Sequence, residues 1–473
     1  MTGLRPSRPG GAGTQPPGPA GQVAIKAKLT AFDTTMIVVS LVIGIGIFRT
    51  PAIVARQTGA TGLFLVAWAL GGAISLLGAL TFAEIGSRFP HPGAFYKVVA
   101  ATYGPAPAFM LNWTNVVIVN GTGVSAVAMI GAEYLNPILL PPHLRTPLAT
   151  QVSAAALVVV LIAVNWLGIK TGARAQNVLT GFKIGMMALI VVAAVAHGGS
   201  APASAAGAGL LAAAQAKPWG LALAAGLISV FYTYGGYHHT INFGADVRNA
   251  SRAMPRAIVA GIAIILACYL AINLAYVKVL GLSGIAASDL VAAETAKAVF
   301  GAGGYLLVSV VIVLSALGFL NVTLMHMPRI YYAMAEDGAM PAVFKRVHPE
   351  TQAQGVGLLF LGALILAAIF FLGTFESIVN YVMFFDALNI ALAASTIFVL
   401  RRRARAAATP FRGFRAPLFP VLPAVFVLFL LGISANVLLT STREALIGAA
   451  FFAAGGPVFL AMKKMTAKKE NPS

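Results

Sequence analysis

Apolar runs long enough to cross a lipid bilayer recur along almost the whole chain, separated by short polar loops. A hydrocarbon core about 30 Å thick requires on the order of 20 apolar residues per helix. About twelve segments meet that length: 31–57, 61–87, 104–136, 149–168, 174–196, 217–245, 256–282, 297–335, 356–374, 376–400, 417–440 and 443–462. The third and eighth exceed one crossing, which predicts strong tilt or helical extension beyond the lipid. The pattern defines an all-α polytopic membrane protein. Residues 1–21 are rich in Gly, Pro and Ala, and the chain turns polar again from Lys463. A disordered tail over 1–29, a transmembrane domain over 30–462 and a second tail over 463–473 are therefore expected.

Composition excludes the soluble alternative. Only 10% of the 473 residues are charged and 59% are hydrophobic, whereas soluble domains carry about a quarter charged residues. The net charge of +19 would suit a nucleic-acid partner, but the Lys and Arg residues sit in short loops without interleaved aromatics. They follow a topological pattern instead, because cytoplasmic loops are enriched in Lys and Arg. Basic residues gather on alternate loops: Lys26 and Lys28, Arg88 and Lys97, Lys170 and Arg174, Arg248 to Arg256, Arg329 to Arg346, and the run Arg401 to Arg415. Both termini are therefore expected on the cytoplasmic side. The single cysteine, Cys268, lies in an apolar span and reads as a small packed hydrophobe.

Two spans carry glycine where a helix interior should avoid it. The first contains Gly44-Ile45-Gly46-Ile47-Phe48 and then Thr50-Pro51; the sixth contains Tyr234-Gly235-Gly236. Asp33 to Gly44 spans about 16 Å at 1.5 Å per residue, so the first break falls near mid-membrane. Glycine there permits close helix packing, or else a broken helix whose freed amides and half-helix ends bind substrate. Spans one and six are corresponding members of two five-helix halves. That position favours a transporter built from inverted repeats, although the halves share no convincing residue-level identity.

These residues resemble a known family. Gly44-Ile45-Gly46-Ile47-Phe48 with Thr50-Pro51 is similar to the first-helix signature of the amino acid–polyamine–organocation (APC) superfamily. So is the stretch from Phe82-Ala83-Glu84-Ile85-Gly86 through Phe89-Pro90, Pro92-Gly93 and Tyr96, with Trp113 beyond it. Phe231 to Tyr237, followed by Asp246, Asn249 and Pro255-Arg256-Ala257-Ile258, looks like the L-type amino-acid transporter branch. Pro328 to Ala335 and Asp337-Gly338-Ala339-Met340-Pro341 add a further family hallmark.

The resemblance implies a LeuT-like fold, with inverted repeats over 30–196 and 217–400, helices one and six unwound, and two peripheral helices over 417–462. It implies that Gly44, Ile45, Gly46 and Ile47 meet a substrate carboxylate. Phe231, Tyr232, Tyr234 and Gly235 would then meet the amine and side chain, with Tyr232 as a gating aromatic. Ile45 departs from the family's usual serine, removing a hydroxyl and adding bulk. Gly235 lies on a stretch where relatives with cationic substrates can carry an acid, so a neutral substrate is favoured.

Ionisable groups at bilayer depth are costly and call for a function or a partner. Lys183 falls near the middle of the fifth span. The resemblance implies that it reaches the unwound part of helix one in place of a sodium ion, while snorkelling to the interface is the other reading. A buried lysine can also lose its proton, which leaves a proton-coupled cycle open. Asp386, mid-way along the tenth span, could hold a proton, contact a substrate amine, or balance Lys183 or Arg49; a buried acid bonded to Asn389 or Asn380 is equally compatible. His238 and His239 follow the second break, and His326 reads as packed among helices.

The expected function is sodium-independent secondary transport of amino acids by exchange or proton coupling. A polyamine or cationic amino-acid carrier, or a non-transporting sensor, remains open. No catalytic cluster, metal-ligand pattern, phosphate-binding loop or cofactor motif emerges, so no enzyme, metal or cofactor is expected. The partners expected are a small amino acid or amine and the lipid bilayer, with no nucleic acid and no obligate partner subunit.

Overall fold

The computed structural model describes residues 25–116, 121, 123–199, 204–288, 290–371, 376–407, 411–440 and 442–470. Its helices run, in chain order, α1 Ala31–Val42, α2 Gly46–Thr58, α3 Thr61–Arg88, α4 Ala94–Tyr103, α5 Pro105–Thr114 and α6 Val124–Leu139. They continue with α7 Pro147–Trp166, α8 Ile169–Ala196, α9 Ala205–Gln215, α10 Trp219–Thr233, α11 Ala250–Ala287 and α12 Val291–Phe300. The last five are α13 Gly304–Glu336, α14 Gly355–Phe371, α15 Glu376–Ala406, α16 Val421–Thr440 and α17 Thr442–Glu470. No strand occurs among the described residues. Two isolated bridges, Leu29 with Val247 and Pro92 with Phe243, replace sheet pairing.

Among the described residues, seven helical segments are long and apolar enough to cross a membrane, counting Trp219–Asn242 across its break, and the bent pair α1–α2 makes an eighth. The other four expected spans coincide with α5–α6, α14, α15 and α17, none of which meets the same length and apolarity among the described residues. Several expected boundaries shift. The eighth span begins at Gly304, because Gly301, at φ 63°, ends a separate helix α12. The expected C-terminal tail stays helical through Glu470. The expected N-terminal tail falls outside the described residues up to residue 24, but its last residues are docked. Leu29 is fully buried, and the amides of Lys28 and Leu29 both donate to the Asp246 carbonyl at 2.8 Å.

Local chemistry sets where the first helix starts and stops. Thr30 and Asp33 form a reciprocal cap, the Thr30 hydroxyl accepting from the Asp33 amide while the Asp33 carboxylate accepts from the Thr30 amide. Lys170 and Asn177 of α8 also reach the Asp33 carboxylate, at 3.3 and 2.7 Å. The helix stops at Ile43, whose ψ of 82° leaves helical geometry one residue before Gly44. A second half-helix, α2, then departs at 43° to the first.

The helices fall into two packed groups. Helices α1, α2, α3, α10 and α11 pack on one another, and α6, α7, α13 and α14 form the second set. Helix α8 touches α1, α11 and α13, and so joins the groups. The long helix α13 is buried along most of its length, which places it at the centre of the molecule. Helix α16 lies against α15 and α3, while α17 packs on α5 and α15.

Candidate functional site

The two breaks lie side by side. Gly236, at φ 107°, sits so close to α1 that a Cβ atom would overlap the carbonyl oxygen of Leu41. A Cβ on Gly46 would stand 3.2 Å from Cγ2 of Thr233, the last residue of α10. Only glycine gives both the left-handed backbone at 236 and this approach. Beyond Gly236 the chain turns as a short 3-10 helix, Tyr237–Asn242.

A helix interrupted in lipid leaves carbonyls that each cost several kcal/mol if unpaired. Here they are met by side chains from intact helices. Lys183 of α8 has no solvent exposure, and its ammonium donates to the Ile43 carbonyl at 2.7 Å and to Ser40 Oγ at 3.2 Å. The side chain thus turns inward and does not snorkel. Gly318 of α13 makes room for it: a Cβ there would lie 2.7 Å from Lys183 Nζ.

A second donor was not foreseen from sequence. Tyr269 of α11 is fully buried, and its hydroxyl lies 3.0 Å from the Val42 carbonyl and 3.3 Å from the Thr233 carbonyl. Its ring is wedged between Trp68 of α3, at 5.9 Å, and Tyr234, at 4.9 Å. The one available signal was a phenol in an apolar span, because a buried tyrosine hydroxyl usually finds a partner.

Opposite electrostatic ends meet across the breaks. Helix α2 starts at Gly46 with no side-chain cap at Ile45, so its first amides point into the gap. That end attracts a carboxylate. Helix α10 ends at Thr233, whose terminus carries the negative pole and attracts an ammonium. Gly44, Ile45, Gly46, Tyr232, Gly235 and Gly236 are all partly accessible within this otherwise buried region.

The remaining expected residues lie differently. Ile47 is fully buried. Phe231 is buried too, its ring packed on Phe429 and Phe426 of α16 at 5.3 and 6.3 Å, away from the glycines. Tyr234 turns its hydroxyl to the Trp68 carbonyl at 3.4 Å. Tyr232 stays half-buried, within electrostatic reach of Asp386. Among the described residues, Asp386 pairs with neither Lys183 nor Arg49. Its expected partner Asn389 is buried with neither amide atom bonded, and the side chain of Asn380 lies outside the described residues. Cys268 is half-buried beside Tyr269.

On the side of the breaks towards the basic loops, three imidazoles meet. His239 stacks on His326 of α13 at 4.7 Å and touches His238 at 4.1 Å, with Phe95 of α4 against both His238 and His239. No group of three or more His, Cys, Asp or Glu side chains among the described residues has the geometry to hold a metal. One turn further along α13, Arg329 forms a buried two-point ion pair with Asp246, at 2.7 and 3.2 Å, and also donates to the Met325 carbonyl. That pair ties α13 to the loop that holds Leu29.

An all-α membrane bundle with two adjacent helix breaks, closed by side chains from its neighbours, defines a polytopic protein of the APC type. The chain belongs to the amino acid permease family, whose sequence model matches residues 29–457. Over 446 residues it is 26% identical to the serine/threonine exchanger SteT of Bacillus subtilis, covering 94% of this chain and 98% of that one. It is 27% identical over 411 residues to the human b(0,+)-type amino acid transporter 1, covering 85% and 81% of the two chains. The human cystine/glutamate transporter is 27% identical over 419 residues, covering 87% and 80%.

Proposed function

We propose that this permease is a secondary carrier of amino acids, neutral ones foremost, working by alternating access without sodium. The observation that carries the reading is Lys183, whose ammonium sits on the Ile43 carbonyl at the first break. A fixed positive charge there supplies what a bound cation would otherwise supply, so no ion gradient is needed to hold the break together. The neighbouring pole of α2 suits a carboxylate and that of α10 an ammonium. A zwitterion satisfies both ends at once, with the carboxylate near Gly44, Ile45, Gly46 and Ile47. The amine and side chain would fall near Tyr232 and Gly235, and Phe231 and Tyr234 would act from behind the cavity wall.

Relatives named as exchangers and amino acid transporters support this reading. Exchange accounts for the arrangement with the fewest parts; Asp386 is the candidate proton carrier if coupling exists. The alternating basic loops support a reading with both termini in the cytoplasm and the chain in the plasma membrane. No partner subunit is required for the transport step itself.

The test is uptake of labelled neutral amino acids into proteoliposomes of the purified protein, at equal pH and without sodium. Saturable uptake, accelerated by unlabelled substrate inside, supports an exchanger. Absence of uptake from folded protein, or uptake that depends strictly on sodium, overturns the reading.

A further inference from the structure

We infer that His238, His239 and His326 form a proton-binding latch, which packs the second half of the broken sixth span onto α13 and releases it when a proton arrives from the side of the basic loops. His238 and His239 stand next to each other on the 3-10 helix Tyr237–Asn242. At three residues per turn, their side chains diverge by about 120°. His238 meets Phe82 of α3 at 5.7 Å and Phe95 of α4 at 5.5 Å, while His239 stacks on His326 of α13 at 4.7 Å. Rings alone thus join the broken span to three helices.

The cluster is sealed but unsatisfied. His238 and His326 are each 2% exposed, and Nε2 of His238, Nδ1 of His239 and Nδ1 of His326 are buried without a hydrogen-bond partner. The charged groups on the surrounding helices are engaged elsewhere. On α1, Asp33 is held by Thr30, Lys170 and Asn177, and on α3, Glu84 is held by Arg88 and Arg401. On α4, Lys97 pairs with Glu336 and Asp337; on α8, Lys183 bonds to Ser40 and Ile43; on α11, Arg252 and Arg256 are exposed. Tyr96 of α4 and Tyr237, 5.9 Å from His238, bring phenols, which carry no charge near neutral pH. Arg329 of α13 lies within electrostatic reach of His326, and its counter-charge Asp246 is already paired with it. A proton added to this packing would meet neighbouring rings and Arg329, with no free carboxylate among the described residues to face it. Proton and packing therefore exclude one another.

An imidazole that has reached water takes a proton with a pKa of about 6.5. The closed packing is accordingly favoured above that pH and lost as pH falls through it. The 3-10 helix stays tethered to α4, because the amides of Gly93 and Phe95 donate to the carbonyl and the side chain of Asn242, at 3.0 Å each. Parting thus falls between His239 and His326. Each ring that gains a proton only on opening shifts the equilibrium about fourfold between pH 8 and pH 6, or about sixteenfold for the two together.

Hydrogen–deuterium exchange on the purified protein, scaled at each pH to an unstructured peptide of the same sequence, reads this shift directly. Protection at residues 237–243 should fall at least about fourfold from pH 8 to pH 6, and less than about twofold in the double variant His239→Gln, His326→Gln. His143→Gln is the control, since His143 is exposed between α6 and α7, and it should keep the wild-type fall. The transport consequence rests on the carrier reading above. In proteoliposomes with equal pH on both faces, exchange should slow over the same interval in wild type and not in the double variant.

Unchanged protection at pH 6 in wild type, or an equal fall in the double variant, overturns the inference. If wild-type protein shows no uptake at any pH, the carrier reading falls and hydrogen exchange still decides the latch. Should the double variant fail to fold, His326→Gln alone should shrink the fall in protection, and a fall as large as that of wild type would equally overturn the inference.

Discussion

Gly236 lies against the backbone of Leu41 so closely that the second break has no room for a side chain facing the first. The contact is glycine to carbonyl, and the left-handed φ of 107° adds a second reason for glycine. The two breaks are thus held together by the absence of an atom as well as by hydrogen bonds.

Gly236→Ala is accordingly expected to cut transport at least about tenfold, through both overlap and backbone strain of about 1–3 kcal/mol. Gly185→Ala is the matched control. Gly185 lies in the interior of α8 and a Cβ there meets nothing, so helix propensity predicts a neutral effect or a gain of up to about 1 kcal/mol. Uptake rates and thermal melting of the two variants in detergent separate these outcomes; equal loss in both would refute the assignment.

Lys183→Met should leave the Ile43 carbonyl without its charged donor. Hydrogen bonds to charged groups contribute about 1.5–3 kcal/mol, so uptake should fall on the order of 10- to 100-fold. Adding sodium or lithium tests whether a free cation can take the vacated position; partial recovery is expected. A Lys183→Met carrier with wild-type kinetics would exclude a role for the ammonium.

Gly318→Ala probes the same contact from the other side, because the added Cβ would crowd Lys183 Nζ at 2.7 Å. The ammonium must move, and the loss should resemble that of Lys183→Met. In the double variant the two losses should not add, since both act on one contact. Additive losses in uptake would separate Gly318 from the lysine.

Arg329 and Asp246 make a different kind of prediction. Removing one member of a buried ion pair strands the other, at a cost of about 3–5 kcal/mol. Arg329→Met and Asp246→Leu should each lower the melting temperature of the purified protein, and the double variant should melt above either single one. A double variant less stable than both would mean that the pair itself stabilises the fold.

The fold was legible from sequence because lipid imposes one dominant constraint. Long apolar runs, the glycines at 44, 46, 235 and 236, and the basic loops carry the helices and the breaks almost unaided. Boundaries set by packing were not legible. The separation of α12 from α13 depends on a single positive-φ glycine, Gly301, which looks like any other small residue in an apolar stretch. The docking of Leu29 on Val247 involves residues more than 200 positions apart, beyond the reach of local pattern.

Among the site residues, charge made Lys183 conspicuous, since an ionisable group in lipid needs a partner. Tyr269 carried no such mark, and neither did Ser40 or Gly318; their roles come from what α8, α11 and α13 bring beside α1. Phe231 differs in the other direction: the resemblance implies a residue that meets substrate, while packing seats its ring on Phe426 and Phe429 of α16.

That contact gives α16 an unexpected standing. Through Phe426 and Phe429 it supports Phe231 of α10, next to Tyr232, and its other face is open, with Leu428 66% exposed and Val425 46%. In a bilayer that open face would meet acyl chains. On the carrier reading proposed above, affinity should therefore respond to the membrane around the protein, with α16 serving as the gauge and Phe231 as its needle.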